Sequence, residues 1–228
     1  AQHRRLEAAH GATVIKPSRA TPERIRRMRK HYYASVTMID EKIGQLVDKL
    51  KEKGLYDDAV VIFTSDHGVE FWEHGIYGHH QVYEPTVHIP LIWRIPGNFG
   101  NRVREDSAGL IDLMPTLLDF ASVAHPPRLQ GKSLDPLGAE APPGRVLFSE
   151  ANWPEAQIAW REDQHKVLLF PDSQRRPEAF DLALDPGEIN ALGAKPEGAS
   201  WKVGIQHPRN VDAYLALAKL DGRCLATS

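Results

Sequence analysis

A single cysteine, Cys224, stands among 228 residues, so the chain can build neither an intrachain disulfide framework nor a thiolate metal cluster. Its setting in Asp221-Gly222-Arg223-Cys224, at a terminus expected to fray, also makes it an unattractive nucleophile. Long apolar runs are absent too. None approaches the ~20 residues that a membrane span needs, and the opening Ala1-Gln2-His3-Arg4-Arg5-Leu6 shows no apolar signal core. No initiator Met is present, which reads as a mature or truncated chain. What remains is ordinary for a soluble globular protein: 42% hydrophobic and 25% charged residues. The length allows one large domain, or one domain with a small appendage.

The net charge of −2 conceals an asymmetry, because residues 1–31 hold nine Lys or Arg against Glu7 and Glu23. A basic arm can bind nucleic acid or an acidic partner. Here it lacks interleaved aromatics before Tyr32, and Arg24, Arg26, Arg27, Arg29 and Lys30 mostly occupy polar positions of a helix, so a solvated face is expected and no nucleic-acid partner.

Thr21-Pro22-Glu23 marks a helix start: an N-cap, a proline at the first helical position and an acid in the first turn. Apolar residues then recur at Ile25, Met28, Tyr32, Val36, Ile39, Ile43, Val47 and Leu50, which predicts one amphipathic helix to about Lys53, closed by Gly54. Strands are expected at 59–64 and 89–94, the second with Pro90 near its start. Asp112 is expected to cap a helix through Phe120, with Pro115 in its first turn. Residues 126–144 read as a Pro/Gly-rich linker or surface loop. Short strands at 146–150, 157–160, 166–170 and 179–182, divided by turn formers, predict a small antiparallel sheet. Asp185-Pro186-Gly187 is a turn signal, and a last helix is expected around 211–220.

The most informative stretch follows the first strand. Val60-Val61-Ile62-Phe63 runs into Thr64-Ser65-Asp66-His67-Gly68, so a strand delivers an Asp and a His at its carboxyl end, where open α/β sheets place ligand groups. Asp oxygen and imidazole nitrogen both ligate divalent ions that polarise an oxyanion ester. Alone, such a tripeptide is better explained by a capping Asp and a solvated His. Its surroundings argue otherwise: of eleven histidines, four fall between His67 and His80, beside Glu70 and Glu73. With no clean period, the stretch reads as a long, Gly-hinged loop. His74 is expected to hold that loop, and His88 to be packed or half-exposed.

Tyr33-Ala34-Ser35-Val36 with Ile39-Asp40-Glu41-Lys42-Ile43-Gly44, the Val61 to Gly68 block, and Glu73-His74-Gly75 resemble successive blocks of the sulfatase family, within the alkaline phosphatase superfamily. Tyr83-Glu84, His88-Ile89-Pro90-Leu91-Ile92, Ile111-Asp112-Leu113-Met114-Pro115-Thr116-Leu117-Leu118 and Phe180-Asp181-Leu182 with Asp185-Pro186-Gly187-Glu188 continue the resemblance in order, from about residue 22 to about residue 190. It implies an α/β fold: the carboxyl half of an alkaline-phosphatase-like α/β/α sandwich over residues 1–138, then a small antiparallel sheet plus helix subdomain over 139–228. It also implies a divalent cation, usually Ca2+, held partly by Asp66 and His67. Many relatives carry a sulfate-contacting Lys twelve residues after the second ligand; here that position is His79. The resemblance thus implies His79 as the catalytic, substrate-binding anion contact, with His80 beside it. An imidazole can donate to an anionic oxygen, but its charge depends on pH as an ammonium's does not.

Relatives use a Cys, oxidised to formylglycine, or a Ser in a Cys/Ser-x-Pro-Ser-Arg block. Ile15-Lys16-Pro17-Ser18-Arg19 imitates that block with an isoleucine, which has no nucleophilic atom, at the reactive position. The expectation is a carboxyl-terminal portion without the nucleophile and the first metal ligands, inactive alone, from a parent that hydrolyses a small-molecule or glycan sulfate ester. A phosphodiesterase, phosphonate monoester hydrolase or phosphatase of the same superfamily is one alternative. A non-catalytic binding protein that kept the fold is another. The family leans to a periplasmic or extracellular location.

Overall fold

The computed structural model describes residues 20–97, 101–138, 145–152, 155–171, 173 and 175–192. The Ile15–Arg19 imitation, Cys224, the helix expected around 211–220 and residue 139, where the second segment was expected to begin, lie outside the described residues. Chain contacts divide the protein into two compact units, one from residues 1–79 and 88–102, the other from 80–87 and 103–228.

The first unit begins with helix α1, Pro22–Glu52. Thr21 Oγ1 accepts the Arg24 amide at 3.3 Å, supplying the N-cap that the sequence announces. At the other end Leu55 N donates to Leu50 O and Gly54 N to Lys51 O, with Gly54 at φ +67°, the paired closure that glycine permits. Amphipathicity does not bring burial: no residue of α1 is buried, and Tyr32, Val36 and Ile39 of its apolar stripe are exposed.

Strands β1 (Val61–Thr64) and β4 (Leu91–Arg94) pair antiparallel, Val61 opposite Arg94 and Thr64 opposite Leu91. Both are shorter than expected, and Pro90, with no N–H to give, stands just before the ladder. Their partners Phe63 and Ile92 share one exposed face.

The His-rich stretch is not a structureless loop, which corrects the sequence reading. It folds into a hairpin of β2 (Glu70–Phe71) and β3 (Tyr77–Gly78), two residues a side. A ladder this short leaves no period in the sequence.

In the second unit, helix α2 (Glu84–Val87) is a single turn, and a 3₁₀ turn (Leu110–Asp112) runs into α3 (Leu113–Phe120). Asp112 occupies the N-cap position of α3 but makes no side-chain capping bond, contrary to expectation. Its fully buried carboxylate instead accepts from Gly109 N at 2.7 Å, Lys132 N at 2.9 Å and the Arg145 guanidinium. Three donors satisfy a buried carboxylate better than one cap could.

The small antiparallel sheet is present as expected, in the order β5 (Val146–Ala151), β6 (Gln157–Glu162), β7 (His165–Leu169), β8 (Glu178–Asp181). Alternation along β7 sends Lys166 and Leu168 to one face and Val167 and Leu169 to the other, and all four are buried. Leu168 joins Ala159, Phe170, Phe180 and Leu182 in a cluster closed by Val82 and Tyr83; Val167 and Leu169 pack with Trp160. The turn signalled by Asp185-Pro186-Gly187 closes through Glu188 N to Asp185 O at 3.0 Å. No helix among the described residues is long and apolar enough to cross a membrane.

Candidate active site

The carboxyl end of β1 carries the site. Beyond Thr64 the backbone leaves the ladder, and Ser65 Oγ donates to the His67 carbonyl at 2.8 Å while lying 3.3 Å from Asp66 Oδ1. Asp66 Oδ1 also accepts the His67 amide at 2.9 Å. That N–H, before any other influence, holds the Asp66 carboxyl below the usual carboxylate range, so the group is a ready anion. Its side chain is 82% exposed and therefore open to a ligand.

His67 turns its Nδ1 to the Gly68 carbonyl at 2.9 Å. A carbonyl only accepts, so the Nδ1 proton is fixed there and Nε2 of the neutral ring presents a lone pair. Nε2 lies 3.5 Å from Asp66 Oδ2. Two acceptors facing one another at that distance are matched by a cation or a proton between them.

The hairpin brings the third residue. Trp72 N donates to Ile76 O and Gly75 N to Trp72 O, closing a turn in which Trp72 (φ 72°) and Gly75 (φ +79°) are left-handed. A tryptophan there is strained and is kept in place by stacking on Tyr77, centroids 5.3 Å apart. His74 Nδ1 meets the buried Glu70 carboxylate at 2.7 Å, bracing the hairpin from within, the loop-holding role expected of it. Just past β3, the His79 ring stacks on His67 at 4.1 Å with 9° between planes. Partial desolvation first, then the neighbouring His67, press His79 below the ordinary histidine range, with Asp66 opposing. A neutral His79 keeps one N–H to donate.

Asp66, His67 and His79, chosen from sequence, are thus brought together at one strand end. His80 opens the second unit, and His88 is exposed, not packed or half-exposed as expected. Sequence reasoning did not single out Ser65 or the Gly68 carbonyl, which orient Asp66 and His67. Adjacency of Ser65 to the Asp was the one available signal. Among the described residues no group of three or more His, Cys, Asp or Glu could hold a metal ion. The donors nevertheless fit a shared divalent cation in part: one anionic oxygen and one oriented imidazole nitrogen converge, short of the six to eight oxygens calcium takes.

Fold and strand end together define an alkaline-phosphatase-like α/β protein. The family model described as Sulfatase matches residues 6–123, and that described as N-sulphoglucosamine sulphohydrolase, C-terminal, matches residues 72–207. The chain belongs to the sulfatase family. It is 32% identical to arylsulfatase K of Mus musculus over 188 residues, 77% of this chain and 34% of that protein. Among solved structures, phosphonate monoester hydrolase SpPMH from Silicibacter pomeroyi is 30% identical with a TM-score of 0.68, over 89% of this chain and 42% of that one. BT4656, solved in complex with its substrate D-glucosamine-2-N,6-O-disulfate, is 26% identical with a TM-score of 0.63, over 84% and 40%. The chain spans about a third of the length of the curated relatives it matches.

Proposed function

We propose that this chain contributes a metal-ligand pair and an anion contact to a sulfuric ester hydrolase acting on a sulfated sugar or small molecule. The observation that carries the proposal is the convergence of Asp66, His67 and His79. Asp66 and His67 would hold the cation, Ca2+ by family resemblance, and such an ion supplies charge neutralisation to the sulfate oxygens. The rest is done by side chains. His67 keeps its Nε2 lone pair aimed because Gly68 O fixes the other nitrogen. His79, stacked against it, donates an N–H toward a sulfate oxygen, and that bond strengthens as negative charge gathers there in the transition state. The attacking group would be a formylglycine outside these residues, and the leaving group an alcohol.

A protein carrying the whole catalytic fold, assayed on an aryl sulfate, tests this. Asp66→Ala should lower kcat/KM by at least 10²-fold, and a wild-type rate would exclude the metal role. On the 228-residue chain, turnover of an aryl sulfate with Ca2+ that Asp66→Ala abolishes would sink the half-site reading. Titrations with Mn2+ and Zn2+ belong beside Ca2+, because an imidazole nitrogen suits those ions better.

The likeness to a phosphonate monoester hydrolase supports a second reading, hydrolysis of a phosphonate monoester at the same site. A higher kcat/KM on an aryl phosphonate than on the matching aryl sulfate would favour it.

A further inference from the structure

Lys166 is 1% exposed, on the sheet face that also carries Leu168. A lysine so placed needs partners, since a desolvated ammonium is strongly unfavourable. It has two: Glu84 Oε1 and Glu188 Oε1, both at 2.9 Å. Arg161 Nη1 adds a second cation to Glu84 at 2.9 Å, and Glu84 N donates to the Glu188 carboxylate. The cluster joins three places far apart in sequence: the turn α2, strands β6 and β7, and the turn after β8.

Only one of these leads to the candidate site. Residues His80–Val87 follow His79 directly, and within the second unit they are fastened along their length. Val82 N donates to Gln157 Oε1 at 3.4 Å, and Tyr83 OH to Glu178 Oε2 at 2.5 Å. Val82 and Tyr83 close the Leu168 cluster, and Glu84 reaches Lys166. The segment has little structure of its own: α2 is four residues long, and Thr86 N and Val87 N both bond Tyr83 O. Its conformation is therefore set by the sheet it lies on.

We propose that Lys166 is a positioning residue for His80: by holding Glu84 and Glu188 together it fixes the segment that begins at His80. The assignment rests on the reading of His79 and His80 as sulfate contacts.

The test uses the full chain and two readouts by NMR: amide hydrogen exchange, and ring shifts of His79 and His80 on addition of inorganic sulfate. Glu84→Gln keeps volume and removes one charge from the middle of the segment. It should speed exchange at Val82, Glu84, Thr86 and Val87 at least tenfold, leave β6 and β7 amides unchanged, and at least halve the sulfate-induced shift of His80. Lys166→Met should loosen the segment and weaken the His80 shift at least as much, lowering sheet protection besides, and Lys166→Arg should keep both readouts near wild type. Unchanged exchange in residues 82–87 of Glu84→Gln, with the sheet protected, would overturn the proposal. So would equal loss of protection across sheet and segment in Glu84→Gln, since the cluster would then only support the core. Wild-type histidine rings indifferent to sulfate would instead count against the functional reading above, while the exchange arm still decides the anchoring.

Discussion

Strand β7 buries Lys166, Val167, Leu168 and Leu169, whereas β1, of similar length and equally rich in apolar residues, buries none of Val61, Ile62, Phe63 and Thr64. The difference lies in the neighbours. β7 runs between β6 and β8 with side chains packed on both faces. Among the described residues β1 has only β4 beside it, in a two-stranded ladder whose Phe63 and Ile92 face outward. Helix α1 repeats the lesson, its apolar stripe formed but at most half-buried among the described residues. Composition makes a strand or an amphipathic helix, and the surrounding layers decide whether it stabilises anything. The candidate site sits on the less covered unit, and the ordered sheet holds the segment that follows it.

The largest effect is expected from Lys166→Met. It leaves Glu84 and Glu188 buried side by side, with Arg161 reaching only Glu84, and removing one member of such a cluster costs about 3–5 kcal/mol. The urea midpoint of the second unit should fall accordingly, followed by exchange of β6 and β7 amides. A loss under about 1 kcal/mol would mean that water reaches the cluster. Phe180→Ala, in the Leu168 cluster at 2% exposure, should cost about 3–5 kcal/mol as a large-to-small core change. The matched change Ile92→Ala, at 59% exposure, should stay within about 0.5 kcal/mol. Equal costs would show that the β1–β4 face is covered in solution.

These two regions also differ in how readily they were read. Both ends of α1 were legible because capping is local: Thr21 bonds three residues away, and Gly54 closes within the last turn. The four strands of the sheet were legible from turn formers between short apolar runs. Asp66, His67 and His79 were singled out by residue type and by resemblance, but not their stacking, which depends on a hairpin with two-residue sides. Nor were the roles of Asp112 and Lys166 visible. Asp112 finds two of its three donors 20 and 33 residues on, and Lys166 finds Glu84 82 residues back. Such pairings follow from tertiary structure and leave no spacing to find.

A pH series should separate the two units as well. Burial first, with Glu84 adding to it, raises the Glu188 carboxyl above its ordinary value against the pull of Lys166 and the Glu84 amide. A carboxyl whose folded value is raised binds its proton more tightly in the folded state. Its contribution to stability is therefore fully present below the ordinary glutamate range and is lost as pH rises through the folded value. Lys166 and Glu84 are the charged groups facing it, with Arg161 paired to Glu84. Urea midpoints of the second unit should thus fall with rising pH across the weakly acidic range, and Glu188→Gln should flatten that fall. A rising midpoint in the wild type would reverse the assigned sign.

A small effect is also expected at an ion pair of the first unit. Arg29 Nη2 lies 2.6 Å from Glu73 Oε1, closer than Lys166 lies to either carboxylate, yet the two side chains are 45% and 29% exposed. Distance alone would rank this pair first. Solvent screening and the entropy of fixing a long exposed side chain reduce it to about 0.2–1 kcal/mol. The guanidinium also lies 5.7 Å from the Phe71 ring centroid, an exposed cation–π contact of similar small size. Arg29→Ala should therefore shift the first unit's urea midpoint slightly, and 1 M NaCl should remove most of the difference from wild type, because exposed pairs are screened at that ionic strength. Lys166→Met should keep its full effect in the same salt. If salt instead erased both differences, the Lys166 cluster would be solvated like the surface pair, and burial would no longer separate the two units.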